Sequence, residues 1–208
     1  MLLSASAWSS AKIKVACVGN SITYGSQIVN REENSYPAQL QSYLKDDYEV
    51  VNFGRGGRTL LEKGDMPYTA TDEFRMSKEF APDIVLIKLG TNDSKPQNRK
   101  YFSEFKTDYK ALIDTYRNLD SHPDVILLTP VRCYLPKGHE IDSTFISADV
   151  VPAVRQIASE NGLEIIELHD LFGDVWDKEI MPDQVHPSAE GAGKMARKIG
   201  EYILSRKQ

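Results

Sequence analysis

Four short blocks carry the residues whose types and spacing suit chemistry. Gly19-Asn20-Ser21 places a serine hydroxyl directly after the apolar run 13–18. Gly54-Arg55-Gly56-Gly57-Arg58-Thr59 follows a second run, 48–53, and Gly90-Thr91-Asn92-Asp93 ends a third, 83–89. Asp183 and His186 stand three residues apart, just before a helical pattern. Acyl transfer needs a nucleophile, a base, a group that orients the base, and donors for an oxyanion. Ser21 offers the nucleophile. His186 offers the base, since an imidazole pKa of about 6.5 suits proton shuttling near neutrality. On a turn entering a helix, Asp183 can reach the imidazole Nδ1–H and fix its tautomer. Glycines around position 57 leave backbone N–H groups open to a substrate oxygen, and the Asn92 amide adds a side-chain donor. Taken singly, each block has an ordinary reading: a turn after a strand, an N-cap, a solvated Asp–His pair, a phosphate-cradling loop. The four together, at strand ends and before the last helix, point to a hydrolase.

The elements that must position them are legible in the hydrophobic pattern. Runs 13–18, 48–53, 83–89, 124–129 and 163–168 are rich in Val, Ile and Leu and lack polar alternation, as strands buried on both faces do. Helical stripes fall at 35–45, 101–119, 148–161 and 188–204, with Gly162 placed to end the third. Alternating strands and helices predict an α/β fold: a doubly wound, five-stranded parallel sheet with helices on both faces. In such a sheet the site lies beyond the carboxyl ends of the strands, where the first three blocks stand. Gly19 is expected to be the point at which the chain turns sharply to present Ser21. Strand order is not given by the pattern.

The chain has 208 residues, 41% hydrophobic and 26% charged, with a net charge of −5. That length suits one domain able to bury its own core. The acidic balance argues against a nucleic-acid partner, which calls for a basic patch. Two cysteines, Cys17 and Cys133, make neither a disulfide framework nor a metal-ligand motif. No apolar stretch reaches the length of a membrane span. Residues 1–11 read as a flexible leader, with small residues at Ala5 and Ala7 resembling the tail of a secretory signal. The chain is then exported to a periplasmic or extracellular location, or else cytoplasmic, and residues 12–208 form the domain.

The blocks resemble those of the SGNH (GDSL-type) esterase and acylhydrolase superfamily. Gly19-Asn20-Ser21 is similar to its first block, Gly-Asp-Ser. Residues 52–59 are similar to its second, with Gly57 at the functional glycine. Gly90-Thr91-Asn92-Asp93 matches the third, and Asp183 with His186 the last. The resemblance implies a three-layer α/β/α sandwich of flavodoxin-like topology. It implies Ser21 as nucleophile, Asp183 and His186 as its partners, and an oxyanion hole of the Ser21 and Gly57 N–H groups with the Asn92 side chain. It implies no metal or organic cofactor. Asn20 departs from the usual aspartate and Gly56 from a common serine. Within the superfamily the chain looks most like bacterial carbohydrate acetylesterases, including the sialate O-acetylesterase type. The expected substrate is a small acetylated sugar, contacted by Asn20, Arg55, Arg58 and Tyr134. A lysophospholipase- or thioesterase-like acylhydrolase and a non-catalytic glycan-binding module are the alternatives. Oligomeric state is not readable.

Overall fold

The computed structural model describes residues 11–206. The expected leader therefore lies outside the described residues, apart from Ala11. The five apolar runs form β1 (Ile13–Gly19), β2 (Tyr48–Gly54), β3 (Ile84–Lys88), β4 (Asp124–Leu128) and β5 (Glu164–Ile166). All pairings are parallel and the order is β2-β1-β3-β4-β5, the flavodoxin-like order. Side chains alternate between two cores. Val15, Cys17 and Leu86 enter one, and Ala16, Val18 and Ile87 the other. Burial on both faces of β1, β3 and β4 removes any need for polar alternation there, whereas the edge strands β2 and β5 carry the exposed Glu49 and Glu164.

The five longest helices among the described residues are α1 (Tyr36–Leu44), α2 (Asp72–Glu79), α3 (Phe105–Arg117), α4 (Val151–Glu160) and α5 (Ala189–Ser205). Helices α1 and α5 cover one face with Tyr36, Leu40, Met195 and Ile199. Helices α3 and α4 cover the other with Phe105, Tyr109, Val154 and Ile157, joined by Phe74 of α2. The result is a three-layer α/β/α sandwich.

Two local features depart from the pattern reading. Helix α2 has no clear apolar stripe, since its one buried residue is Ser77. It is set instead by Thr71, whose side chain caps the Phe74 N–H at 3.1 Å. Helix α4 is preceded by a turn at Ser143–Phe145 and a π-helical stretch at Ile146–Val150, so the helical segment starts earlier than residue 148. Pro152 of α4 follows directly on that stretch, where it cannot donate to the helical hydrogen-bond ladder.

Strand β1 is central to the site. Its neighbours are β2 and β3, so the loops leaving these three strands lie side by side at the point where the chain changes direction across the sheet.

Candidate active site

Ser21 owes its position to how β1 ends. Gly19 is still in the ladder, paired with Gly54 and Lys88. It is not the turn expected from the sequence. The turn comes at Asn20 (φ −95, ψ −153), whose Oδ1 accepts the Ile22 N–H at 3.1 Å and caps the one-turn helix Ser21–Tyr24. Gly19 is required for close approach instead. A Cβ there would lie 2.1 Å from Thr23 Oγ1 and 2.7 Å from the Lys88 carbonyl oxygen. Asn20 thus keeps the capping contact that an aspartate would make, while its buried Nδ2 has no partner.

The loop after β2 starts in register. The Arg55 N–H donates to the Gly19 carbonyl at 3.0 Å. The chain then leaves the sheet through Gly57, whose φ of +76° lies in the left-handed region. Beyond it, Asp93 holds the loop down. Its two carboxylate oxygens accept the N–H groups of Leu60 (3.1 Å) and Leu61 (2.8 Å). Burial pushes the Asp93 carboxyl up to about 6, and these backbone donors oppose the rise. Next to it, Asn92 Nδ2 donates to the Arg58 carbonyl at 3.0 Å, leaving one amide hydrogen over. Asn98 Nδ2 in turn donates to the Asn92 carbonyl at 2.9 Å. Among the described residues, the backbone N–H groups of Ser21 and Gly57 have no acceptor.

His186 arrives from the segment between β5 and α5. The Ser188 N–H donates to the Ile180 carbonyl at 2.8 Å and closes a loop over residues 180–188. Val185 anchors that loop in a small cluster with Cys133, Ile141, Ile146 and Val151, and the Tyr134 N–H donates to the Gln184 carbonyl at 2.9 Å. His186 Nε2 lies 2.9 Å from Ser21 Oγ, and His186 Nδ1 lies 2.7 Å from Asp183 Oδ2. Asp183 Oδ1 accepts the N–H groups of His186 (2.6 Å) and Val185 (3.0 Å). Burial opposes the Asp183 charge, but the hydrogen bonds from the His186 ring and from the two N–H groups outweigh it and hold the carboxyl below its ordinary range. An ionised carboxylate only accepts, so Nδ1 carries the proton and Nε2 is the acceptor for the serine hydroxyl. The arrangement can take a proton from Ser21 and stabilise the resulting imidazolium.

The remaining expected contacts divide. Arg55 is exposed and bound to Glu73 at 3.2 Å. Arg58 has no carboxylate partner among the described residues. The Tyr134 hydroxyl donates to the Gly173 carbonyl at 2.8 Å, so this residue braces two loops. Beside it a cavity of about 430 Å³ is lined by Arg132, Tyr134, Ser143, Ser147 and Asp174, among others. Sequence reasoning gave Gln27 no role, yet its Nε2 donates to Asp183 Oδ2 at 2.6 Å. Nothing in the sequence links residues so far apart, and Gln27 reaches Asp183 from a left-handed backbone (φ 67°). Among the described residues no three His, Cys, Asp or Glu side chains gather as metal ligands, and no helix is long and apolar enough to cross a membrane.

Comparison with known proteins meets this geometry. An acetylxylan esterase of Xylanibacter ruminicola is 40% identical over 208 aligned residues, covering 92% of this chain and 43% of that protein. The chain thus spans less than half the length of this relative. Among solved structures, a carbohydrate acetylesterase of Sinorhizobium meliloti superposes with a TM-score of 0.73 at 19% identity, over 93% of this chain and 99% of that one. A two-domain esterase active on acetylated mannans gives a TM-score of 0.65 at 22% identity, over 94% of this chain and 49% of the other. The family model for GDSL-like lipases and acylhydrolases matches residues 17–194. That match runs from inside β1 into α5 and takes in the strand-end loops and the Asp183–His186 loop alike, so the chain belongs to the GDSL-like lipase/acylhydrolase family.

Proposed function

We propose that this chain hydrolyses O-acetyl esters of carbohydrates through an acyl-enzyme formed on Ser21. The observation that carries the reading is the relay from Ser21 Oγ to His186 Nε2 (2.9 Å) and from His186 Nδ1 to Asp183 (2.7 Å). His186 takes the hydroxyl proton as Ser21 attacks the acetyl carbonyl. The oxyanion is met by the free N–H groups of Ser21 and Gly57 and by the remaining hydrogen of Asn92 Nδ2. The imidazolium, stabilised by Asp183, returns its proton to the sugar oxygen as the C–O bond breaks. A water molecule then repeats the sequence on the acetyl-serine and releases acetate and a proton. Gln27 and the backbone donors to Asp183 keep its carboxylate aimed at the imidazole. The 40% identity to an acetylxylan esterase supports an acetylated carbohydrate as substrate. The test is acetate release from acetylated xylan oligomers and from 4-nitrophenyl acetate. Wild-type protein turns both over, and Ser21→Ala loses at least about 10³-fold in kcat. Equal rates for the two proteins would remove Ser21 from the chemistry.

A further inference from the structure

Two arginines flank the loop that carries Gly57, and their surroundings differ. The Arg55 charge is met by Glu73 at 3.2 Å. Arg58 has neither an ion pair nor a side-chain hydrogen bond among the described residues. Its Nε is buried without a partner, while its Nη atoms are not among the buried ones and have no acceptor among the described residues. Leaving a buried donor unsatisfied is unfavourable, the more so when it is charged. The guanidinium is thus held partly out of water with its fork unused. Its root is fixed in the oxyanion loop: Arg58 follows Gly57 directly, and its carbonyl accepts from Asn92 Nδ2 at 3.0 Å. The fork is therefore open to an acceptor from outside the chain, and its root stands on the loop that Asn92 ties down.

We propose that Arg58 binds a carboxylate of the substrate, so that the glycan recognised here is acidic and carries its carboxylate close to the O-acetyl group. A planar guanidinium fork matches a planar carboxylate in two parallel hydrogen bonds. The chain's net charge of −5 makes an unpaired cation at this place selective for one local anion and not for a polyanionic surface. The carboxylate can come from a hexuronate or from a nonulosonate sugar. The inference rests on the esterase reading of Ser21, and the experiment separates the two.

The test compares kcat/KM for acetate release from acetylated aldouronic xylo-oligosaccharides, acetylated neutral xylo-oligosaccharides and O-acetylated sialic acid. One of the two acidic substrates is favoured over the neutral one by the wild type. Arg58→Gln lowers that acidic-to-neutral ratio by about ten- to a hundredfold, mainly through KM, as expected for loss of a charge-assisted hydrogen bond. Arg58→Lys restores part of it. Which acidic substrate shows the effect identifies the carboxylate source. A general defect of the loop lowers every substrate alike and leaves the ratio unchanged, which would overturn the proposal, as would a ratio insensitive to Arg58 with both acids. Wild-type turnover of 4-nitrophenyl acetate distinguishes the failures: its absence sinks the esterase reading, whereas its presence with an unchanged ratio sinks only the role of Arg58.

Discussion

One amide serves two purposes at Asn92. Its Nδ2 ties down the Arg58 carbonyl at 3.0 Å, and the hydrogen left over has no acceptor among the described residues. The residue is nearly buried, and Asn98 fixes its main chain. Removing the amide therefore removes the loop contact and, in the proposed mechanism, an oxyanion donor together. A single donor of this kind is worth about 10²–10³ in kcat, while one neutral hydrogen bond contributes about 0.5–1.5 kcal/mol to stability. Asn92→Ala is expected to lower kcat for 4-nitrophenyl acetate by that factor with KM little changed, and to lower Tm by a few degrees. Steady-state kinetics and a thermal melt read the two effects separately. A variant within about threefold of wild-type kcat would remove Asn92 from the oxyanion site. Asn98 and Asp93 act through neighbours: Asn98 holds the Asn92 carbonyl, and Asp93 pins Leu60 and Leu61. They belong to positioning, and the Asp93 carboxylate gives the oxyanion loop its fixed exit from the sheet.

At the scale of elements, the strand order does the assembling. Because β1 lies between β2 and β3, Ser21, Gly57 and Asn92 come from adjacent strand ends, although their blocks are far apart in the chain. The weak point of this design is the dihedral at Gly57. Its φ of +76° strains any L side chain, and an added Cβ would also sit 3.2 Å from Met66 Sδ. Residues forced into this region cost about 1–3 kcal/mol. Gly57→Ala is expected to lose stability by that amount and kcat by at least tenfold. Pairing it with Met66→Ala clears the contact but leaves the dihedral, so the double variant keeps the defect. Full rescue by Met66→Ala would show that crowding, and not backbone conformation, is what Gly57 avoids. The elements themselves were largely legible beforehand. Strands β1, β3 and β4 stand out because they are buried on both faces, β2 and β5 because their runs are rich in Val and Ile, and α1, α3, α4 and α5 because each has an apolar stripe. Helix α2 lacks one and was hidden by a polar run whose cue is the Thr71 cap. Pairing order was not legible, since a run apolar all round says nothing about which neighbour it meets. The four blocks named Ser21, Gly57, Asn92, Asp183 and His186 as residues to look for, and the structure brings Ser21, Asp183 and His186 into hydrogen-bond contact. The Gln27 contact and the different surroundings of Arg55 and Arg58 depend on tertiary neighbours that no local spacing encodes.

For the molecule as a whole, the unusual feature is a lysine inside the core. Lys88 and Asp93 are charged side chains with no exposed surface. Asp93 is held by backbone donors, whereas Lys88 Nζ has no hydrogen-bond partner among the described residues. Lys88 ends the central strand β3, and the two-residue period of the strand, with Ile84 and Leu86 in the core under α1 and α5, directs it to that side. Burial pushes its pKa down from 10.5 to about 8, with the buried Cys133 thiol nearby acting in the opposite direction. At 1.36 kcal/mol per pH unit, that difference is a destabilisation of about 3 kcal/mol. The sign follows from proton counts. Below pH 8 the folded and unfolded chains both carry the charge, and the folded state bears the whole cost. Between about pH 8 and 10.5 the unfolded chain binds more protons, so the stability contributed by this residue rises with pH until the cost is gone. Methionine is unbranched, fills a similar volume and needs no partner. Lys88→Met is therefore expected to raise the free energy of unfolding by about 3 kcal/mol at neutral pH, and by progressively less as the pH rises from 8 towards 10.5. Urea denaturation of both proteins at neutral pH and at pH 10 measures the difference directly. A gain of the same size at both values would mean that packing, and not charge, sets the cost of Lys88. A loss of stability at neutral pH would mean that the ammonium is held by the fold more favourably than its missing partners imply.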